Sequence, residues 1–215
     1  MEDNISFEHI QSNLDKRFDF KSSYSKDENS LYCTIGHTCK YFDTDEFSRK
    51  ISDIDNSSFS VLSQNIRSLP GKWNEFETYL SSIMNDKFTF SIIALQELWS
   101  VPHKFDLIGY SPLQFTVRSG ERSSNIGGGV GMWIKDTLKY EKLNDISVFM
   151  PHIFESQFFK IQTSETKFTI VGNIYRPNTG SLACIKNFNN ILSDIIQKIR
   201  ADNVLSKCDL ILSEM

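Results

Sequence analysis

Apolar and polar positions change their spacing near residue 59 of the chain. Before it, single Phe, Tyr and Ile residues are scattered among Ser, Asp and Asn with no sustained period. Residues 1–58 therefore read as an arm or linker with one short helix near Asp45 to Ile51. From Phe59 onward, short β-branched or aromatic runs alternate with helical stretches and turn signals, the pattern of a mixed α/β domain over residues 59–215. Phe59 to Asn65 reads as a strand that Leu69-Pro70-Gly71 breaks. Trp73, Phe76, Leu80 and Ile83 then recur at helical spacing, which predicts a helix from Lys72 to Met84 with one buried face. Phe90 to Leu95 is almost wholly apolar, as a strand covered on both faces should be.

Farther along, Val130 to Ile134, Leu138 to Val148, Phe154 to Gln162 and Phe168 to Tyr175 read as strands, and their spacing suggests an antiparallel meander. Ile185, Phe188, Leu192, Ile195 and Ile199 recur three or four apart, predicting an amphipathic helix from Leu182 to Arg200 packed on the sheet. Asp209 to Leu212 begins one more buried strand.

Composition narrows the class. The 215 residues are 40% hydrophobic and 23% charged, ordinary for a globular domain. No apolar run approaches the roughly 18 residues that would span a bilayer, so no membrane partner is expected. The first ten residues lack a basic segment and a continuous apolar stretch. An intracellular protein with reduced cysteines is the expectation. The net charge of −4 argues against binding nucleic acid by bulk charge, but it is unevenly placed: residues 1–58 carry 7 basic against 12 acidic residues, and residues 59–215 carry 16 against 15.

Three strand ends carry candidate chemistry. Gln96-Glu97-Leu98-Trp99 follows a buried strand, and a carboxylate at such a mouth is a hard oxygen ligand suited to Mg²⁺. A solvated acid at a strand end is the ordinary alternative. Asn65 closes the first strand and Arg67 opens its turn; an amide can orient a carboxylate or hold a phosphate oxygen, and Arg is a natural fork for phosphate. Asn173 to Asn178, N-I-Y-R-P-N, places Tyr175 at a third strand end, with Arg176 and Asn178 in the loop forced by Pro177. Other signals are weaker. Cys33, His37 and Cys39 lack a fourth nearby ligand and a standard zinc spacing. Gly127 to Gly131 lacks the last glycine of a dinucleotide loop and precedes a strand. Cys184 and Cys208 read as core residues.

Together, the three ordered strand ends resemble the endonuclease domain of non-LTR retrotransposons, within the exonuclease/endonuclease/phosphatase superfamily that includes deoxyribonuclease-I-like enzymes. The resemblance runs from about Ser58 to the C-terminus, and more loosely back to Lys40 to Phe47. It implies a four-layered α/β sandwich of mostly antiparallel mixed sheets flanked by helices, and Mg²⁺- or Mn²⁺-dependent cleavage of DNA phosphodiesters. By the same resemblance Glu97 is the metal-binding acid, Asn65 the amide of the first catalytic strand, and Tyr175 the tyrosine near the scissile phosphate. Arg67, Arg122, Arg176 and Asn178 become candidate DNA contacts. Arg122 and Gly127 to Gly129 are similar to the loop and strand entry of these domains, and Glu155 to an acid common on a middle strand.

Phosphodiester hydrolysis needs a cation against developing charge, donors on the phosphate oxygens and a base for water. The family completes this set with a G-D-F-N-like motif and a later Asp and His. Here the last strand reads D-L-I-L-S-E-M, and His9, His37, His103 and His152 all precede it. The expectation is a domain lacking its C-terminal strands, with little nicking activity alone and an uncovered sheet edge open to association. A phosphatase of the same superfamily and a non-catalytic DNA-binding remnant are the alternatives.

Overall fold

In a computed structural model of the chain, the residues described are 47, 49–50, 58–85, 87–101, 105–117, 127–177 and 181–214. Strand β1 (Val61–Asn65), helix α1 (Leu69–Ile83) and strand β2 (Ile92–Gln96) form a parallel crossover. The sheet then continues antiparallel: β4 (Val130–Ile134) pairs with β2, and β3 (Gln114–Thr116) pairs with β4. A second sheet has the order β5 (Tyr140–Lys142), β7 (Phe154–Gln162), β8 (Phe168–Tyr175) and β9 (Asp209–Glu214), with β6 (Phe149–Met150) also on β7. Helix α2 (Leu182–Ala201) and a 3-10 turn (Leu205–Lys207) carry the chain from β8 to its parallel neighbour β9. Both sheets are mixed and mostly antiparallel, so the domain is α/β.

Alternation along each strand decides what faces what. Ile93, Leu95 and Trp133 face α1, where they bury Phe76, Leu80 and Ile83. Ile92, Ala94, Met132 and Ile134 turn to the other side and meet Phe159, Ile161 and Val171 of the second sheet. Phe154, Phe158, Ile170 and Ile174 take the outer face of that sheet and pack on Phe188, Ile195 and Ile199 of α2. Covered on both faces, β2 and β4 are buried at every position.

Several expectations change. Leu69-Pro70-Gly71 opens α1 instead of merely ending a strand. Proline is tolerated in a first helical turn because its missing N–H would have no partner there, and the Ser68 hydroxyl accepts from the Gly71 N–H at 3.2 Å. The antiparallel meander covers β5, β7 and β8 only; β4 lies in the other sheet. Leu138 to Val148 shrinks to the three residues of β5, because Leu143–Ser147 winds into a turn that buries Ile146. The final strand is not fully buried. It lies at the end of the strand order with β8 as its paired neighbour, and Leu210 and Leu212 are each 38% exposed.

From the stretch assigned to the arm, Phe47, Arg49 and Lys50 are helical, and Phe47 stacks on Phe90 with ring centroids 6.3 Å apart. No helix among the described residues is long and apolar enough to cross a membrane.

Candidate active site at three strand ends

The layer between the two sheets is apolar at one end and polar at the other. On β8 the inward positions run Thr169, Val171, Asn173, Tyr175; on β7 they run Ile161, Phe159, Gln157, Glu155. Both rows change from hydrocarbon to polar side chains in the same direction, and Ser63 and Asn65 on β1 and Gln96 on β2 continue the change across the gap. Asn173 is fully buried there. Its Nδ2 donates to the carbonyls of Leu95 and Gly131, both at 2.9 Å, and its Oδ1 accepts from Gln96 Nε2 at 2.6 Å. Gln96 also donates to the hydroxyls of Ser63 and Ser213, which hydrogen-bond each other. These polar bonds stitch the sheets together just behind the strand ends.

Beyond this cluster, the three candidate residues meet. Glu97 Oε1 accepts from Asn65 Nδ2 at 2.9 Å and from the Tyr175 hydroxyl at 2.9 Å. The more distant Trp99 indole N–H approaches Glu97 Oε2 at 3.4 Å. The Asn65 amide is itself oriented, because its Oδ1 accepts from the Arg67 N–H at 3.2 Å.

An unusual backbone makes this meeting possible. Glu97 has φ 55°, and Arg67, Ser68 and Trp99 are left-handed as well. Such a conformation costs about 1–2 kcal/mol per non-glycine residue, so neighbouring bonds must hold it. Ser68 N–H donates to Glu97 O at 2.8 Å and Leu69 N–H to Leu98 O at 3.1 Å, tying the start of α1 to the exit of β2. On the other side Trp99 N–H donates to Gly128 O at 2.8 Å and Leu98 N–H to Gly129 O at 3.3 Å. Gly128 and Gly129 are left-handed too, at φ 92° and 90°.

Glu155, 3% exposed, completes the surround. It lies opposite Tyr175 in the β7–β8 register, and its Oε2 accepts the Gly129 N–H. A Cβ on Gly128 would lie 2.6 and 2.7 Å from its two carboxylate oxygens. The glycine is required by clearance as well as by φ.

The electrostatics follow from these contacts. Burial alone would raise the Glu97 pKa, but hydrogen bonds from Asn65, Tyr175 and Trp99, with the Arg67 charge, outweigh it and leave the acid below its ordinary value. Burial pushes the Tyr175 hydroxyl well above the usual tyrosine range, and its bond to Glu97 and the charges of Glu97 and Glu155 push the same way. The site thus combines an ionised, oriented carboxylate with a hydroxyl that keeps its proton.

Not every candidate residue converges. The exposed Arg67 is close enough for its charge to act on both Glu97 and Tyr175. Arg176 is instead exposed over the ring of Phe188 on α2, at 5.9 Å from its centroid. Arg122 and Asn178 lie outside the described residues, as do Cys33, His37, Cys39 and His103. His152 is exposed in the turn before β7 with φ 67°. Cys184 and Cys208 are free and only partly buried.

The sequence points to Gly128 and Gly129 only as a strand entry, by resemblance, and does not point to the roles of Trp99 or of the Asn173–Gln96 bond. The spacing of Asn173 and Tyr175, two apart on one strand face, was the signal that could have found the last.

Among the described residues, no three or more His, Cys, Asp or Glu side chains gather as a metal-holding group. A closed zinc site of protein ligands is therefore a poor fit here. Mg²⁺ is a better match to Glu97, since this ion keeps several waters and often takes only one or two carboxylates plus phosphate oxygens. Asn65 and Tyr175 both occupy Oε1, leaving Oε2 with only its long indole contact. No protein-family model matches the chain, and no curated protein matches it.

Proposed function

We propose that this domain binds a DNA phosphodiester through a divalent cation at Glu97, as an endonuclease-like domain of a mobile element would. One observation carries the reading: Asn65 and Tyr175, from the ends of two strands in different sheets, both donate to one oxygen of Glu97. Tying down one carboxylate oxygen with neutral donors keeps the acid charged and fixes where its second oxygen lies. The order α1, first sheet, second sheet, α2 supports the four-layered sandwich of the deoxyribonuclease-I-like type, which opens at these strand ends.

In this reading the Glu97 carboxylate would hold Mg²⁺ or Mn²⁺, which would supply Lewis-acid neutralisation of phosphate charge. The chain's own residues do the rest. Tyr175, protonated across the physiological range, donates a hydrogen bond to a phosphate oxygen. Arg67, exposed beside the carboxylate, offers its guanidinium fork to the same anion. Asn65 keeps Glu97 from turning away.

Among the described residues, no three or more His, Cys, Asp or Glu side chains gather in one group, so the proposal is of DNA binding with little turnover. A supercoiled-plasmid assay with Mg²⁺ tests it: the chain should leave the plasmid largely un-nicked, while a gel-shift assay detects Mg²⁺-dependent DNA binding that Glu97→Gln weakens. Robust nicking that disappears in Glu97→Ala would mean that the catalytic set is complete. DNA binding indifferent to Mg²⁺ and to Glu97→Gln would count against the site altogether.

A further inference from the structure

At the opposite end of the β7–β8 ladder lies a second concave site. Seven residues along β8 separate Phe168 from Tyr175, about 23 Å at 3.3 Å per residue, so the two sites do not overlap. The cavity holds about 490 Å³ between the start of β8, the start of β9 and the α2–β9 connection. That volume is in the range of small-molecule pockets.

Its chemistry is cationic. Lys160 on β7, Lys167 before β8 and Lys207 in the 3-10 turn come from three separate segments and line one cavity, against the single carboxylate of Asp209. None of the three forms an ion pair among the described residues. Asp202, close enough to feel the charge of Lys160, is occupied by the N–H groups of Val204 and Leu205, both at 2.8 Å. The Lys160 ammonium lies over the Phe168 ring, 4.7 Å from its centroid, so one cation is already positioned at the wall. Thr166 and Asn203 add neutral hydrogen-bonding groups. Three ammonium groups against the two carboxylates of Asp202 and Asp209 leave the hollow net positive in a chain of net charge −4.

We infer that this cavity binds a small polyanion carrying at least two phosphoryl groups, held by Lys160, Lys167 and Lys207. A single phosphate cannot engage three ammonium groups spread over three segments as well as a diphosphate can. The inference does not depend on the endonuclease reading.

Calorimetric titration of the full chain with inorganic pyrophosphate at low salt tests it. Saturable binding is expected, weakened about tenfold in the double variant Lys160→Gln/Lys207→Gln and unchanged in Glu97→Gln. Lys167→Gln, at an exposed position, should weaken binding by itself without altering thermal stability, which guards against a folding defect. The inference is overturned by an absence of saturable binding, or by equal affinity in the lysine variants. Orthophosphate binding as tightly as pyrophosphate would overturn the two-group requirement. Displacement of pyrophosphate by a short DNA duplex in the Glu97→Gln background would assign the lysines to a nucleic-acid backbone instead.

Discussion

Glu97 is held by competition between burial and hydrogen bonding, and hydrogen bonding wins. Because its folded pKa lies below the ordinary value of 4.5, its contribution to stability is fully present above that value and is lost as the pH falls through the folded pKa. Tyr175→Phe removes one of the two donors on Oε1. In that variant the Glu97 carboxyl should titrate at higher pH than in the parent, which a carbon-detected NMR titration would register; an unmoved titration would mean that the hydroxyl does not hold the acid. Tyr175 itself carries the opposite sign. Its folded pKa is raised, so its contribution is intact below the ordinary value of 10.0 and is lost only as the pH climbs through the folded value.

The neighbouring glycines offer a sharper contrast at the same scale. Gly128→Ala forces a Cβ onto the Glu155 carboxylate at a left-handed φ, and should cost about 3 kcal/mol from conformational strain and overpacking. At Gly127 nothing lies within 4 Å of an added Cβ, so Gly127→Ala should stay within about 0.5 kcal/mol of the parent. Urea denaturation of the pair measures the difference. Equal effects would refute the clearance argument.

At the scale of elements, the site is made by one crossover and one buried amide. The β1–α1–β2 crossover brings Asn65 and Glu97 to the same end of adjacent parallel strands, and Asn173 joins that end to β8, which carries Tyr175. Asn173→Ala strips donors from two buried carbonyls and an acceptor from Gln96. It should destabilise the fold by about 2–4 kcal/mol and lower the cooperativity between the sheets, visible as faster amide exchange at β2 and β8 together. Exchange that rises in β8 alone would show that the sheets are not joined there.

Much of this layer was legible from residue spacing. The β2 and α2 patterns gave buried elements near their observed positions, because a continuous apolar run and a three-or-four spacing each have one natural packing. Strand partnership was not legible. Nothing local in Val130 to Ile134 says that it pairs with β2 and not with the strands after it, since both choices bury the same side chains. The positive φ of Glu97 was equally hidden, because long-range bonds from Ser68, Gly128 and Gly129 impose it.

For the whole molecule, the proposed binding of a phosphodiester rests on one carboxylate and the two donors that hold it. Asn65, Glu97 and Tyr175 were readable as candidates because each closes an apolar strand, and they converge. Arg176 lies apart from them, exposed over the Phe188 ring of α2, because the chain after Tyr175 runs toward that helix. The central claim is that Glu97, held by Asn65 and Tyr175, receives a divalent cation. Thermal unfolding of the chain across a Mg²⁺ titration tests it most directly, since a ligand that binds only the folded state raises the melting temperature with concentration. The account predicts a saturable rise in the parent that is absent in Glu97→Gln; no rise, or the same rise in the variant, would contradict it.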